Sequence, residues 1–254
     1  MSETKQAGIY LYAIVSADRG QAFHAMPSAG IGGGEVYAIV ESDLAAIVGR
    51  TPQERLRPER RHLGAHQGIL KLLTATDSAL PISFGMIASS EDSVRSILRR
   101  HRDMLVSQLD RVAGKVEMGL RVKWDVPNIF EYFIGRFPDL QSARDALLED
   151  GQGNRDRMIA LGQMFEARLN AERDQAYRRV AEVLKRYDIE IKRNPVRTES
   201  EVMNLACLIH REQQNEFETI VCEAARGFDN SFLFDFNGPW SPYNFVDVRL
   251  KQPD

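Results

Sequence analysis

Cysteine is scarce in this chain of 254 residues, and so are long apolar runs. The two cysteines, Cys207 and Cys222, cannot build a disulfide framework, and without a Cys-x-x-Cys pair they indicate a reducing compartment. No stretch approaches the roughly 20 apolar residues that a membrane helix needs. The polar start, MSETKQAG, lacks the apolar core of a secretion signal. We therefore expect a cytoplasmic protein that does not enter the membrane.

Excess charge of either sign and the common catalytic motifs are also missing. The net charge is −3, with no basic excess of the kind that predicts nucleic-acid binding. The Gly-rich segment at 30–34 lacks the spacing of a phosphate-binding P-loop and leads into a strand pattern, so it indicates a surface loop. No Gly-x-Ser-x-Gly elbow occurs. The hydrophobic content of 43% is instead that of a globular protein with a substantial core.

The first half of the chain alternates strand and helix patterns. Apolar and alternating runs predict strands at 8–15, 35–41, 44–49, 79–87 and 116–124, and helical spacing predicts helices from 58 to 76 and from 91 to about 113. Hairpins among these elements favour an α+β domain over residues 1–126, a variant of the ferredoxin-like split βαβ sheet with helices on one face.

Beyond Pro127 we predict a second α+β domain, residues 127–254. Its main feature is a long amphipathic helix over 155–187, in which Met158, Leu161 and Phe165 begin an apolar stripe. Short strands at 189–193, 201–210 and 231–237 and a helix at 211–227 follow. A last strand at 244–250 is expected to pair with 231–237 as a terminal β-hairpin.

The loop of this expected hairpin is unusually aromatic. Its sequence, FNGPWSPYNFV, contains two prolines that fix φ and stiffen the backbone. Two interpretations remain open at this point. The rings can fold back and hold the chain end on the core, or some can stay exposed to bind another protein. The residues concerned are Phe236, Trp240, Tyr243 and Phe245.

Glu59, His62 and His66 form the best metal candidate, because their spacing places all three on one face of a helix. His66 also falls on the apolar stripe of that helix, which favours a structural histidine, so we predict no metal and no cofactor. The arginines between Arg50 and Arg61 are mixed with glutamates. They indicate a solvated face or a surface for an acidic partner.

Four stretches together resemble the gas vesicle accessory protein F/L family (GvpF/GvpL). GPWSPYNFV resembles the GPWPPYSFV-like signature of that family, and LPISFG at 80–85 resembles its LPxxFG strand. IYLYAIV at 9–15 resembles its opening strand, and His66 followed by Ile69 and Leu70 resembles its H…VL helix. Ser241 and Asn244 depart from the proline and serine that are common there.

The resemblance implies a role without catalysis. Family members are minor or accessory components of gas vesicles, the protein shells that give buoyancy, and are thought to bind the hydrophobic shell protein and limit its aggregation during nucleation. The partners implied are that shell protein and other gas vesicle accessory proteins, and the location is the gas vesicle. The residues alone leave open an alternative, a cytosolic α+β enzyme or sensor that binds a small ligand or depends on a metal.

Overall fold

The computed structural model describes residues 8–52, 55–76, 78–149 and 155–248. The chain divides into two compact units, and neither is continuous in sequence. The first comprises Met1–Glu117, Leu208–Arg211 and Gly238–Asp254, and the second comprises Met118–Cys207 and Glu212–Asn237. This division differs from a single boundary after residue 126, because the chain returns to the first unit twice.

An antiparallel sheet of five strands forms the centre of the first unit. Its order is β2-β3-β1-β4, and β5 also pairs with β1. The strands are β1 (Gly8–Ser16), β2 (Val36–Glu41), β3 (Leu44–Thr51), β4 (Leu80–Pro81) and β5 (Ile87–Ala88). The single strand predicted at 79–87 is thus two short pairings, separated by a turn in which Gly85 has φ of +96°.

Residues of β1 are buried on both faces of this sheet. Ile9, Leu11 and Ile14 belong to one apolar cluster, whereas Tyr10 and Tyr12 belong to another. The pairing of β1 with β3 shifts register between Leu11 and Ala13. Because of that irregularity Tyr12 and its neighbour Ala13 both join the same cluster, although successive residues of a regular strand face opposite sides.

Helices cover both faces of the first sheet, so the prediction of helices on one face was wrong. The helices are α1 (Ala17–Ala22), α2 (Arg60–Thr76), α3 (Glu91–Arg100) and α4 (Arg102–Val112). Buried residues of α2 pack in the cluster that contains Tyr10, and those of α3 and α4 pack in the cluster that contains Ile9. A sheet that is apolar on both sides needs cover on both sides, as the unbroken apolar run of β1 requires.

The second sheet has the order β7-β8-β6-β9. Its strands are β6 (Lys115–Trp124), β7 (Glu190–Asn194), β8 (Glu201–His210) and β9 (Phe232–Trp240). The strand expected at 116–124 therefore does not complete the first sheet. The two sheets share one strand order: β1 lies between β3 and β4 in the first, and β6 lies between β8 and β9 in the second.

Helices α5 (Ile129–Arg136), α6 (Pro138–Glu149), α7 (Arg155–Lys185) and α8 (Phe217–Ala225) belong to the second unit. Leu161, Phe165 and Leu169 of α7 are buried, but Met158 is half exposed. Arg173 is also buried, and its guanidinium donates to the backbone carbonyls of residues 198, 199 and 201. Within the described residues, no helix combines the length and hydropathy that crossing a bilayer requires.

The predicted terminal hairpin does not form over the described residues. β9 ends at Trp240, a 3-10 turn follows at Tyr243–Phe245, and no strand occurs up to Val248. Residues 249 and 250 of the expected strand lie outside the described range. The backbone of this segment bonds side chains and not a partner strand. The Asn244 N–H donates to Glu117 Oε2 at 2.9 Å, and the Asp247 N–H donates to Gln108 Oε1 at 3.4 Å. Pro242 has no N–H with which to join a ladder.

Candidate functional site

The four aromatic residues of the predicted binding site lie in different environments. Phe245 is fully buried, and Tyr243 is half-buried against the cluster that contains Tyr10 and Tyr12. Phe236 is half-buried on β9, with its ring centroid 5.8 Å from that of Phe217. Trp240 is 44% exposed. The structure thus places two of these rings as packing residues and leaves Trp240 as the one with the most accessible surface.

Residues 241–248 pack against the first unit and belong to it. The Ser241 hydroxyl is buried, hydrogen-bonds the Thr74 hydroxyl and lies 3.4 Å from the carbonyl oxygen of Leu70. The side-chain amide of Asn244 donates to Glu117 Oε1 at 2.6 Å. Val246 and Val248 pack on the apolar cluster of β1, α3 and α4. Buried apolar area and several hydrogen bonds therefore stabilise the packing of residues 241–248 on the first unit.

His66 lies at the centre of a group of aromatic rings that we call the aromatic cluster, formed by Tyr10, Tyr12, His66, Phe84 and Tyr243. Its ring stacks on Tyr12 at 5.7 Å and meets Tyr10 and Phe84 edge-on at 5.7 and 5.8 Å. Its Nδ1 is 2.9 Å from the Tyr10 hydroxyl, and its Nε2 is 2.9 Å from the Tyr243 hydroxyl. Both ring nitrogens are thus occupied by tyrosines.

One set of proton positions satisfies every donor of this network. The Gly85 N–H donates to the Tyr10 oxygen at 3.2 Å, so the Tyr10 hydroxyl proton is available to Nδ1 of His66. Nε2 then carries the imidazole proton and donates to Tyr243. Tyr243 in turn donates to the carbonyl of Ile82 at 3.4 Å. The reverse direction would leave the Tyr10 proton with no acceptor in the network, so we assign the Nε2–H tautomer.

Burial keeps the three central groups of this network neutral. Desolvation lowers the pKa of His66 to about 4, and it raises the pKa of both Tyr10 and Tyr243 above the ordinary tyrosine value. At neutral pH these three groups are therefore one uncharged imidazole and two uncharged phenols. Such a group can hold a position in the fold, but a tyrosine with a raised pKa and an imidazole with a lowered one are poor general bases at pH 7.

The metal candidates Glu59, His62 and His66 do not converge on one point. Both ring nitrogens of His66 are hydrogen-bonded to tyrosines. The Nδ1 of His62 is 3.1 Å from the carbonyl oxygen of Arg57, and the Glu59 carboxylate accepts from Arg61 at 2.9 Å. No group of three metal-ligating side chains occurs within the described ranges. The sequence spacing is compatible with a shared helical face, but the hydrogen bonds of each residue lead elsewhere.

The four stretches that carry the family resemblance meet at the aromatic cluster. Tyr10 and Tyr12 come from the opening strand, His66 from α2, Phe84 and Gly85 from LPISFG, and Tyr243 from GPWSPYNFV. Sequence reasoning did not single out Tyr10 and Tyr12. Two tyrosines within an otherwise apolar buried strand were the available signal, because a buried hydroxyl needs a partner.

A separate candidate for partner binding is the accessible apolar surface of β9. This strand occupies one end of the order of the second sheet, and its residues alternate between half-buried and exposed from Phe232 to Asn237. Leu233 is 50% exposed, and Asp235 is the one charged residue of the strand. β7, at the other end of the order, carries Glu190, Lys192 and Arg193 instead. Leu233 was not among the residues that the sequence suggested.

Comparison of the sequence with known proteins identifies a family. The model of the family described as gas vesicle synthesis protein GvpL/GvpF matches residues 8–247. Gas vesicle protein F of Streptomyces sp. (strain CB03234) is 26% identical over 212 residues, which cover 84% of this chain and 88% of that protein. Gas vesicle protein F2 of Halobacterium salinarum is 24% identical over 250 residues, 96% of this chain and 94% of that one.

The fold is also that of a solved structure. The crystal structure of the gas vesicle protein GvpF from Anabaena sp. PCC7120 superposes with a TM-score of 0.80, at 22% identity, over 96% of this chain and 99% of that one. This likeness establishes a mixed α+β fold with two sheets. Because the family model covers nearly the whole chain, the protein belongs to the GvpL/GvpF family of gas vesicle synthesis proteins and has an accessory role related to gas vesicles.

Proposed function

We propose that this protein is a non-enzymatic accessory component of gas vesicle assembly that binds the hydrophobic shell protein and limits its aggregation during nucleation. Membership of the GvpL/GvpF family supports a role in gas vesicle assembly. The observation that carries the proposal is β9, an apolar strand at the end of its sheet order with Leu233 and Trp240 about half exposed. The protein would act in the cytoplasm and at the forming vesicle, with other accessory proteins as further partners.

An apolar shell protein tends to self-associate through its unpaired strand edges before it is built into a shell. A partner that adds its own strand to such an edge supplies backbone hydrogen bonds and covers alternate side chains. β9 has the composition for this role, because eight of its nine residues are uncharged and three of those are phenylalanines. β7 is less suited, because charged side chains on an edge strand oppose pairing with an apolar strand.

Within the aromatic stretch, the proposal assigns different roles to the candidate residues. Trp240 and Phe236 contact the partner together with Leu233, whereas Tyr243 and Phe245 hold the chain end in place. Support comes from exposure and bonding: Trp240 is 44% exposed, Phe245 is fully buried, and the Tyr243 hydroxyl bonds His66. Interface energy usually concentrates in a few large side chains, with tryptophan prominent among them.

Co-expression with the shell protein tests this assignment. We expect the double variant Leu233→Asp/Trp240→Ala to retain at least tenfold less shell protein on affinity purification, because a charge and a lost ring remove the apolar contact. Its melting temperature should stay within about 2 °C of wild type, since exposed substitutions change stability little. Leu148→Ala is the matched control, because Leu148 is 71% exposed and lies on α6.

Two results would contradict the assignment. If the double variant retains the shell protein at the wild-type level, β9 is not the binding strand. If Leu148→Ala loses the shell protein to the same extent, the effect is not specific to β9. The bound shell protein should also remain in solution at concentrations at which it aggregates when expressed alone, and sedimentation measures this directly.

We further infer that both sheets are variants of the ferredoxin-like split βαβ plan. In the first sheet, β1 and β2 are each antiparallel to β3, which lies between them. A helix lies between β1 and β2 in sequence and another between β3 and β4, as that plan requires. The second sheet repeats the strand order with β6, β7, β8 and β9, and its long helix α7 lies in the first crossover.

A further inference from the structure

Two sequence features with no role in the proposed function meet at one cavity of the first unit. The cavity measures about 320 Å³, and its lining includes Gly32 and Gly34 from the Gly-rich segment, Arg50 and Thr51 from β3, and Arg61 and His62 from α2. The sequence alone indicates a surface loop for the glycines, and for the arginines either a solvated face or a surface for an acidic partner. The fold brings them together.

The Gly-rich segment is held in a defined conformation beside the cavity. The Gly30 N–H donates to the carbonyl of Gly34 at 2.8 Å, and the Ile31 N–H donates to the hydroxyl of Tyr12 at 2.9 Å. Gly32 has φ of +68°, a conformation that favours glycine. A Cβ at Gly32 would meet no atom within 4 Å, so the backbone here borders open space.

Among the described residues that line the cavity, Arg50 and Arg61 carry a positive charge and none has a carboxylate. Segment 50–61 contains five arginines and two glutamates, although the whole chain has a net charge of −3. Arg50 bonds Glu91 at 3.3 Å and Arg61 bonds Glu59 at 2.9 Å, but these arginine side chains are 68% and 76% exposed. Exposed pairs of this kind contribute little, so a ligand can compete for both guanidinium groups.

His62 supplies a buried polar group on the wall of the cavity. The residue is 5% exposed, and its Nδ1 lies 3.1 Å from the Arg57 carbonyl oxygen. His62 and Arg61 stand in the first turn of α2, which contains no acidic residue. The positive end of the helix dipole therefore faces no side-chain carboxylate in its own first turn.

We propose that this cavity binds an oxyanion, a phosphate or carboxylate group, held between Arg50, Arg61 and the ring of His62 beside the Gly-rich segment. The arginine forks suit two-point bonding to such a group. His62 lines the same cavity. This site involves no residue of β9, so the proposal stands or falls independently of shell-protein binding.

Titration of the purified full chain with inorganic phosphate and with malonate, followed by isothermal calorimetry, tests the proposal. Chloride at matched ionic strength corrects for general screening. We expect saturable binding by wild type and at least a tenfold weaker affinity for Arg50→Gln/Arg61→Gln. Arg99→Gln is the matched control, because Arg99 is an exposed arginine of the same unit that pairs with Glu41 and does not line the cavity.

The two probes distinguish the source of the anion. Binding of phosphate alone assigns the site to phosphate-bearing ligands, and binding of both assigns it to oxyanions in general, including acidic side chains. If neither phosphate nor malonate binds saturably, the proposal is overturned. So would equal affinity in wild type and the double variant, or an equal loss in Arg99→Gln. Circular dichroism spectra of all variants, matched to wild type, exclude unfolding as the cause.

Discussion

At the scale of single residues, His66 determines how the aromatic cluster responds to pH. Its two nitrogens meet Tyr10 and Tyr243 at 2.9 Å, and the ring is almost fully buried. An imidazolium in this place would lose its solvation and would turn one hydrogen-bond acceptor into a donor. The neutral form is therefore the one that the folded protein stabilises.

Acid should destabilise the protein through this residue. The folded pKa of His66, about 4, lies below the unfolded value of about 6.5, so the unfolded chain binds more protons between these limits. The free energy of unfolding should thus fall as pH is lowered from 6.5 to 4, by up to about 3 kcal/mol from His66 alone. Urea unfolding of wild type and His66→Gln across this range measures the difference.

The variant should show the shallower pH dependence, because the other titrating groups are unchanged. A direct check is the NMR titration of the His66 ring in the wild-type protein, which does not depend on how well the variant folds. A midpoint near 6.5 would contradict the neutral buried imidazole and the tautomer assigned to it.

At the scale of elements, the turn between β4 and β5 shapes the cluster. Leu80 and Pro81 pair with β1, the chain turns at Gly85, and Ile87 and Ala88 pair with β1 again. The turn presents the Ile82 carbonyl to Tyr243 and the Gly85 N–H to Tyr10. The LPISFG motif is thus an interrupted strand whose interruption supplies two hydrogen bonds.

Gly85→Ala should destabilise the protein by about 1–2 kcal/mol, the cost of a left-handed conformation for a residue with a Cβ. Its φ is +96°, and no atom lies within 4 Å of the Cβ position, so backbone strain is the only local cost. Gly68→Ala is the control, because Gly68 is helical and equally uncrowded, and alanine there should stabilise by about 0.5–1 kcal/mol. Chemical denaturation measures both, and equal effects would contradict the argument.

At the scale of the whole molecule, the chain end is part of the first unit. Gly238–Asp254 is separated from Met1–Glu117, the main part of that unit, by more than a hundred residues of sequence, yet Phe245 is fully buried and Tyr243 completes the aromatic cluster. The aromatic composition near the end of the chain is explained by this packing. Trp240 remains as the ring that the proposed function uses.

A chain that ends at Trp240 should melt about 10 °C lower than wild type. Burial of one large apolar side chain is worth about 1.5–3 kcal/mol, the lost hydrogen bonds add to that, and each kcal/mol corresponds to about 2–4 °C at this size. Differential scanning calorimetry gives the shift. A synthetic peptide of residues 241–254 added in excess should restore part of it by mass action. An unchanged melting temperature would show that the segment does not stabilise the unit.

Much of the local structure followed from the sequence. The apolar run of β1 and the helical spacing of α2 predicted elements close to those found, because period and propensity act over a few residues. The four family motifs identified the family that the comparisons confirm. The predicted ends of elements differ from those in the structure: α2 begins at Arg60 and not at 58, and the helix expected from 91 divides at His101.

Contacts between residues distant in sequence decided which strands pair and which side chains share a site. The apolar pattern of residues 244–250 predicted a strand beside β9, but over the described residues up to Val248 the backbone donates to the side chains of Glu117 and Gln108 instead. Likewise β6 pairs in the second sheet, and the Gly-rich segment meets Arg61 and His62 at one cavity. Residue types and local periods were thus determined by the sequence itself. Which distant groups share a buried hydrogen bond or a cavity was decided only by the tertiary structure, because such contacts depend on how whole elements pack.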